Sequence, residues 1–215
     1  LKFDWPDETA NYFWIKNFVA TGQLAMAEPL NLIAQNAIHP RSFNVTTNGD
    51  LVPATFLGFI LFYGWLAKIF STSAIIYFTP ILASLAVLAW YGLLKKIFDA
   101  KIAFLSTILL LFNPAWWYYS VTSLLPNVAF VALVIISVFL LLQTKAGKAV
   151  WLYWLVSGLA AGLALSIRPA ELVWLAIVYA GILIYLLKEI NWQRLLLFLV
   201  PAILAVWPSL YYQQF

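Results

Sequence analysis

From residue 74 onward the chain alternates long apolar runs with short polar breaks, at 74–94, 102–121, 125–144, 149–167, 171–187 and 195–212. A helix crossing a bilayer needs roughly 20 apolar residues to cover about 30 Å of hydrocarbon. The pattern therefore predicts six spans. Upstream the pattern changes. Phe13, Trp14 and Phe18 fall at helical spacing within 7–21, but Asn11 and Lys16 interrupt the apolar face. That predicts a helix lying along the membrane surface, stopped by Gly22. Residues 23–50 are polar and read as irregular, and a loop of that length without structure of its own is uncommon unless it carries function. Residues 51–70 are apolar again, yet Pro53, Gly58 and Gly64 interrupt them and Lys68 closes them. An interfacial helix suits them better than a crossing one. The expected fold is all-α, a polytopic transmembrane helix bundle over 73–215, preceded by an external loop over 1–72 that contains interfacial helices.

Composition agrees with a membrane solvent. Mean hydropathy is +0.93, and only 9% of residues are charged against 65% hydrophobic, which excludes a soluble domain. The net charge of +4 does not imply nucleic acid, because the basic residues sit in short loops where they orient helices. Lys95, Lys96 and Lys101 share one loop, Lys145 and Lys148 lie two loops later, and Lys188 and Arg194 two loops after that. The intervening connections hold only Arg168. This alternation assigns the lysine loops to the cytoplasm and places 113–126, 168–171 and Tyr211-Tyr212-Gln213 outside. If 51–70 does not cross, residues 1–72 are extracytoplasmic as well. Trp116, Trp117, Tyr118 and Tyr119 fit an aromatic belt at the outer interface, and Asn113-Pro114 should kink the helix that precedes them. No charged residue lies between the ends of the six spans, which argues against an ion-coupled transporter. The chain has no cysteine and one histidine, His39, so thiolate chemistry and histidine-rich metal sites are excluded.

The chemistry concentrates near the N-terminus. Asp4-Trp5-Pro6-Asp7-Glu8 places three of the eight carboxylates within five residues, beside hydrophobic spans where charge is costly. In one reading Asp4 caps a helix whose first turn holds Pro6, with Asp7 or Glu8 near its positive end. In the other a carboxylate held on that rigid base does chemistry. The two are compatible.

Several motifs, taken in order, resemble one family. Asp7-Glu8 followed by Tyr12, then His39-Pro40-Arg41-Ser42, then Leu51-Val52-Pro53 and Phe56-Leu57-Gly58 resemble the first external loop of GT-C glycosyltransferases. Phe112-Asn113-Pro114 with Ser120, and Gly158-Leu159-Ala160 leading to Arg168-Pro169, resemble the later spans. The similar branch uses polyprenyl-phosphate sugars and includes protein O-mannosyltransferases and aminoarabinose transferases. The resemblance implies an external acidic pair, a partly embedded external helix at 51–70, and a prokaryotic plasma membrane as the setting. It also implies a spanning helix before the acidic pair and further helices after position 212, so the sequence, which begins at Leu1 without methionine, is expected to be a fragment.

The resemblance assigns the catalytic base to Asp7, with Glu8 second, and substrate binding to His39, Arg41 and Arg168. One carboxylate suffices chemically. A glycosidase needs an acid as well as a base because a sugar alkoxide leaves poorly, whereas a phosphate-linked sugar leaves as a stable anion. A base for the acceptor and cations for the phosphate then complete the site. Arg41 can grip phosphate bidentately and His39 can add a donor; Arg168 has an alternative as an i,i+3 partner of Glu171. Family members often carry a second acidic residue in the next external loop, where this chain reads Ser123-Leu124-Leu125-Pro126-Asn127. No cofactor is expected, and a divalent metal is not supported by that loop. The expected partners are a polyprenyl-phosphate sugar donor, a protein, lipid or glycan acceptor, and membrane lipids. A non-catalytic scaffold or lipid-binding protein of the same fold is the alternative, and a transporter the third choice.

Overall fold

A computed structural model describes residues 3–54, 56–122, 124–143 and 149–212. Ser123, Lys145, Lys148 and Gln213 lie outside the described residues. The chain forms α1 (Pro6–Thr21), a short α2 (Leu30–Ile33), a hairpin of β1 (Phe43–Val45) and β2 (Leu51–Pro53), α3 (Leu57–Phe70), α4 (Ile75–Ile97), α5 (Ala100–Leu111), α6 (Pro114–Val121), α7 (Pro126–Leu141), α8 (Val150–Ile167), α9 (Leu172–Tyr185) and α10 (Trp192–Tyr212). It is an all-α membrane bundle, whose described strands are confined to that three-residue hairpin.

Among the described residues three helices are long and apolar enough to cross a membrane, and the pair α5 and α6, bent by 56°, makes a fourth if counted as one span. The bend falls at Asn113-Pro114, as the sequence predicts. Asn113 caps the new helix by accepting from the Trp116 N–H at 3.0 Å, and Pro114 occupies its first position, where its missing N–H costs nothing. The predicted spans at 125–144 and 171–187 are shorter than expected. In α7 the 16 helical residues extend about 24 Å, less than the hydrocarbon thickness. Pro126 starts α7 and Pro169 opens a 3₁₀ turn before α9, and the two helices end at Leu141 and Tyr185, inside the predicted runs.

Small residues set the core. Gly158 and Gly162 lie on the face of α8 that meets α10, where an added Cβ would fall 2.0 Å from the Phe198 carbonyl oxygen and 2.2 Å from that of Ala202. Backbone contact of this closeness is how apolar helices associate where water gives no driving force. Ser137 and Ser157 exchange hydrogen bonds with each other's carbonyls at 2.8 Å between α7 and α8, and the Tyr179 hydroxyl of α9 donates to Ser137 at 2.8 Å. These polar groups are satisfied inside the bundle.

The packing sorts the connections into two ends. Helices α4 and α7 run parallel, since Ala86 and Ala89 group with Ala132 and Ile135, Gly92 faces Phe139 and Lys96 donates to the Leu142 carbonyl at 2.7 Å. Arg168, just after α8, bonds Asn127 at the start of α7. Trp5 reaches Tyr118, Tyr212 reaches the Gly22 carbonyl at 3.1 Å, and Gly58 abuts Ser166. Residues 3–54, both ends of α3, the close of α6, the start of α7, Arg168 and the close of α10 therefore share one end, and Lys95 and Lys96 stand at the other. Single cysteines at Asn48 and Thr122 are expected to react with an impermeant thiol reagent from outside, and one at Lys188 only after permeabilisation. Labelling of position 188 in intact cells, with 48 protected, would reverse the orientation.

Candidate functional site

The acidic stretch begins α1, but not as the capping reading expects. The N-cap position is Trp5, with extended backbone at φ −113° and ψ 140°, and its own side chain makes no capping bond. Pro6 is pre-set for the first helical position, so the cap falls one residue after Asp4. Asp7 and Glu8 occupy the first turn, where negative charge meets the positive end of the helix dipole. Gly22 closes α1 as predicted, at φ 76°.

The segment read as irregular is built. Asn31, fully buried, donates to the Gly49 carbonyl at 3.0 Å and accepts the Ile38 N–H at 2.9 Å. Met26 and Leu51 exchange backbone hydrogen bonds at 2.9 and 2.8 Å, and Phe43–Val45 pairs antiparallel with Leu51–Pro53. Gly49, at φ 86°, supplies the left-handed turn that closes this hairpin. The missed signal was Asn48-Gly49 between Phe43-Asn44-Val45 and Leu51-Val52-Pro53, a turn pair that favours hairpins.

That hairpin carries the His39-Pro40-Arg41-Ser42 loop to the acidic helix. The Ser42 hydroxyl donates a short hydrogen bond to Asp7 Oδ1 across 35 residues of chain, and the Ser42 carbonyl accepts from Ala54 at 3.4 Å. Asp7, His39 and Arg41 are exposed, with the His39 ring nitrogen Nδ1 3.2 Å from the Pro40 carbonyl oxygen. The structure thus brings Asp7 together with the loop of His39 and Arg41, through a serine to which the sequence reading gave no role.

Glu8 and Arg168 are placed differently. Glu8 is 3% exposed and accepts the Leu124 N–H at 3.4 Å. Burial pushes its carboxyl above the usual carboxylate value, the Leu124 N–H opposes the rise, and the Asp4 charge adds to it. Arg168 bonds Glu171 at 3.0 Å and Asn127 Oδ1 at 2.9 Å, with its guanidinium 5.6 Å from the Phe130 ring centroid. Glu171 in turn accepts from Trp174 at 2.5 Å. The i,i+3 alternative for Arg168 is thus present, and its fork is engaged in fastening the starts of α7 and α9 to the end of α8.

Two cavities adjoin this end. One of about 850 Å³ is walled by Thr46, Thr47, Asn48 and Asp50 of the hairpin turn, by Ala54, and by Tyr211 and Tyr212. The other, about 510 Å³, is a groove between α3 and α4 lined by Phe62, Tyr63, Leu66, Phe70, Tyr77 and Phe78 among others, nearly all of it apolar. Among the described residues no three histidine, cysteine, aspartate or glutamate side chains converge as a metal site would require.

A protein-family model, described as dolichyl-phosphate-mannose-protein mannosyltransferase, matches residues 54–212. Neither the curated proteins nor the solved structures contain a match.

Proposed function

The chain belongs to the dolichyl-phosphate-mannose-protein mannosyltransferase family of membrane glycosyltransferases, and from that premise we propose that it moves a sugar from a polyprenyl-phosphate carrier to an extracytoplasmic acceptor, with Asp7 as the base. The supporting observation is the Ser42–Asp7 hydrogen bond, which sets an exposed carboxylate beside a loop bearing an exposed arginine and histidine. In the reaction the acceptor hydroxyl loses its proton to Asp7 as its oxygen attacks the anomeric carbon. The bond from that carbon to the phosphate oxygen breaks, and its electron pair leaves with the polyprenyl phosphate. Direct displacement inverts the anomeric centre. Arg41, aided by His39, receives the negative charge that develops on the phosphate. The apolar groove between α3 and α4 offers a wall for an isoprenoid tail at the same end of the bundle.

Asp7 is a better base than Glu8 on this geometry. A base must reach the proton it removes, and Glu8 is buried against Leu124. Arg168 serves as a fastener, since its guanidinium is already shared between Glu171 and Asn127.

Carrier binding tests the role of Arg41. Arg41→Ala is expected to weaken affinity for polyprenyl phosphate by about 1.5–3 kcal/mol, the worth of one hydrogen bond to a charged group. Arg41→Lys should fall between, because lysine keeps the charge and loses the planar fork. Unchanged affinity in the alanine variant would remove Arg41 from the phosphate site.

A further inference from the structure

The start of α1 is latched to Tyr118 of α6 and to Leu124, on both sides of Asp7. Ahead of it, the Trp5 indole N–H donates to the Tyr118 hydroxyl at 3.0 Å. Behind it, Glu8 and Asn11 grip a single residue. The Leu124 N–H donates to Glu8 Oε1 at 3.4 Å, and Asn11 Nδ2 donates to the Leu124 carbonyl at 2.8 Å. Glu8 and Asn11 stand three residues apart, hence on one helix face, and both are buried, as is the whole Leu124 side chain. Asp7 engages Ser42 instead. The start of α1 thereby ties the hairpin loop to Leu124 ahead of α7, with Asp7 between them.

A buried carboxyl is a poor choice for stability alone. It costs desolvation that backbone N–H groups of Leu124, Trp5 and Asp4 oppose but do not cancel, since the carboxyl stays raised. What it does is specify: both polar groups of the Leu124 backbone are satisfied only when Leu124 sits at one height along α1. We propose that Glu8 and Asn11 are positioning residues, which hold Leu124 and the start of α7 against α1 and so fix that side of the acceptor approach to Asp7. This rests on the reading of Asp7 as the base.

The test compares Glu8→Gln, Glu8→Ala and Asn11→Ala in the reconstituted protein. Amide hydrogen exchange is followed over 121–127, and turnover is measured with dolichyl-phosphate mannose as donor probe. Glutamine retains an Oε1 acceptor for the Leu124 N–H, and its neutrality suits a site where burial already disfavours charge. Losing one hydrogen bond of ordinary net strength should speed exchange of the Leu124 amide about tenfold. Glu8→Ala and Asn11→Ala are expected to show that change together with a fall in kcat of similar size and little movement in donor KM, while Glu8→Gln stays close to wild type in both. Three results would overturn the proposal: Glu8→Gln as inactive as Glu8→Ala, which would make Glu8 itself a proton acceptor; wild-type exchange in both alanine variants; or fast exchange with wild-type kcat. The exchange readout needs no turnover, so a failed latch and a failed base at Asp7 appear in different assays.

Discussion

Asp7→Asn is expected to lower transfer roughly 10²–10⁴-fold, the usual loss when a general base is removed, while folding and carrier binding stay nearly intact. Asparagine is close in shape, and its side-chain oxygen can still accept from the Ser42 hydroxyl, so the His39–Arg41 loop keeps its place. It cannot take the acceptor's proton. The N-cap of α1 is Trp5, so no cap is lost with the charge. What disappears besides basicity is the favourable term between a first-turn carboxylate and the helix dipole, about 0.3–1 kcal/mol. That is too small to explain a hundredfold loss of rate through unfolding. Transfer assays on the purified variant, run beside its thermal unfolding, separate the two effects. Wild-type turnover in Asp7→Asn would leave the carboxylate a structural feature of the first turn.

The second large effect lies in the bundle. Gly158→Ala and Gly162→Ala each drive a methyl group into the α10 backbone, at 2.0 and 2.2 Å from carbonyl oxygens. Neither oxygen belongs to a flexible side chain that can swing away, so α8 and α10 must separate. Overpacking of this kind costs typically 1–3 kcal/mol per site, set against the helix-propensity gain of about 1 kcal/mol that Gly→Ala otherwise brings. Gly181→Ala in α9 is the control, because an added Cβ there meets nothing within 4 Å. Melting in detergent should fall for both α8 variants, most for the double variant, and hold or rise for Gly181→Ala. Equal behaviour of all three would remove the glycine seam as the contact that joins α8 to α10.

Much of this fold was legible because its signals are local. Apolar runs mark helices, Gly22 marks the end of α1, and Asn113-Pro114 marks a break, since a proline cannot donate within a helix. Where reading failed locally, Pro6 moved the cap from Asp4 to Trp5, and α7 and α9 ended at Leu141 and Tyr185, before the close of the apolar runs that contain them. Asn48-Gly49 could have been read as a hairpin turn and was not, because the flanking triplets Phe43–Val45 and Leu51–Pro53 are short for strands.

The site was legible in part. The family resemblance singled out Asp7, Glu8, His39 and Arg41 and put Asp7 ahead of Glu8, but residue type alone does not separate two adjacent carboxylates. Their difference comes from a partner 116 residues away, the Leu124 N–H that meets Glu8, and from the Ser42 hydroxyl that meets Asp7 across 35 residues. Contacts at such separations leave no periodicity to read. Ser42, Asn11 and the Trp5–Tyr118 pair were invisible for the same reason. Arg168 was legible both ways, and Glu171 three residues on was the cue to the reading that the geometry favours.

The most direct test of the central claim is a structure of the protein with a polyprenyl phosphate bound, because the phosphate position fixes every role. The account expects the phosphate within hydrogen-bond distance of the Arg41 guanidinium, about 3 Å, the tail lying along α3 and α4, and the phosphate oxygen that would bear the sugar facing Asp7. A phosphate held instead by Arg168 with Glu171 displaced, or seated in the cavity of Asp50 and Tyr212 away from Ser42, would contradict it.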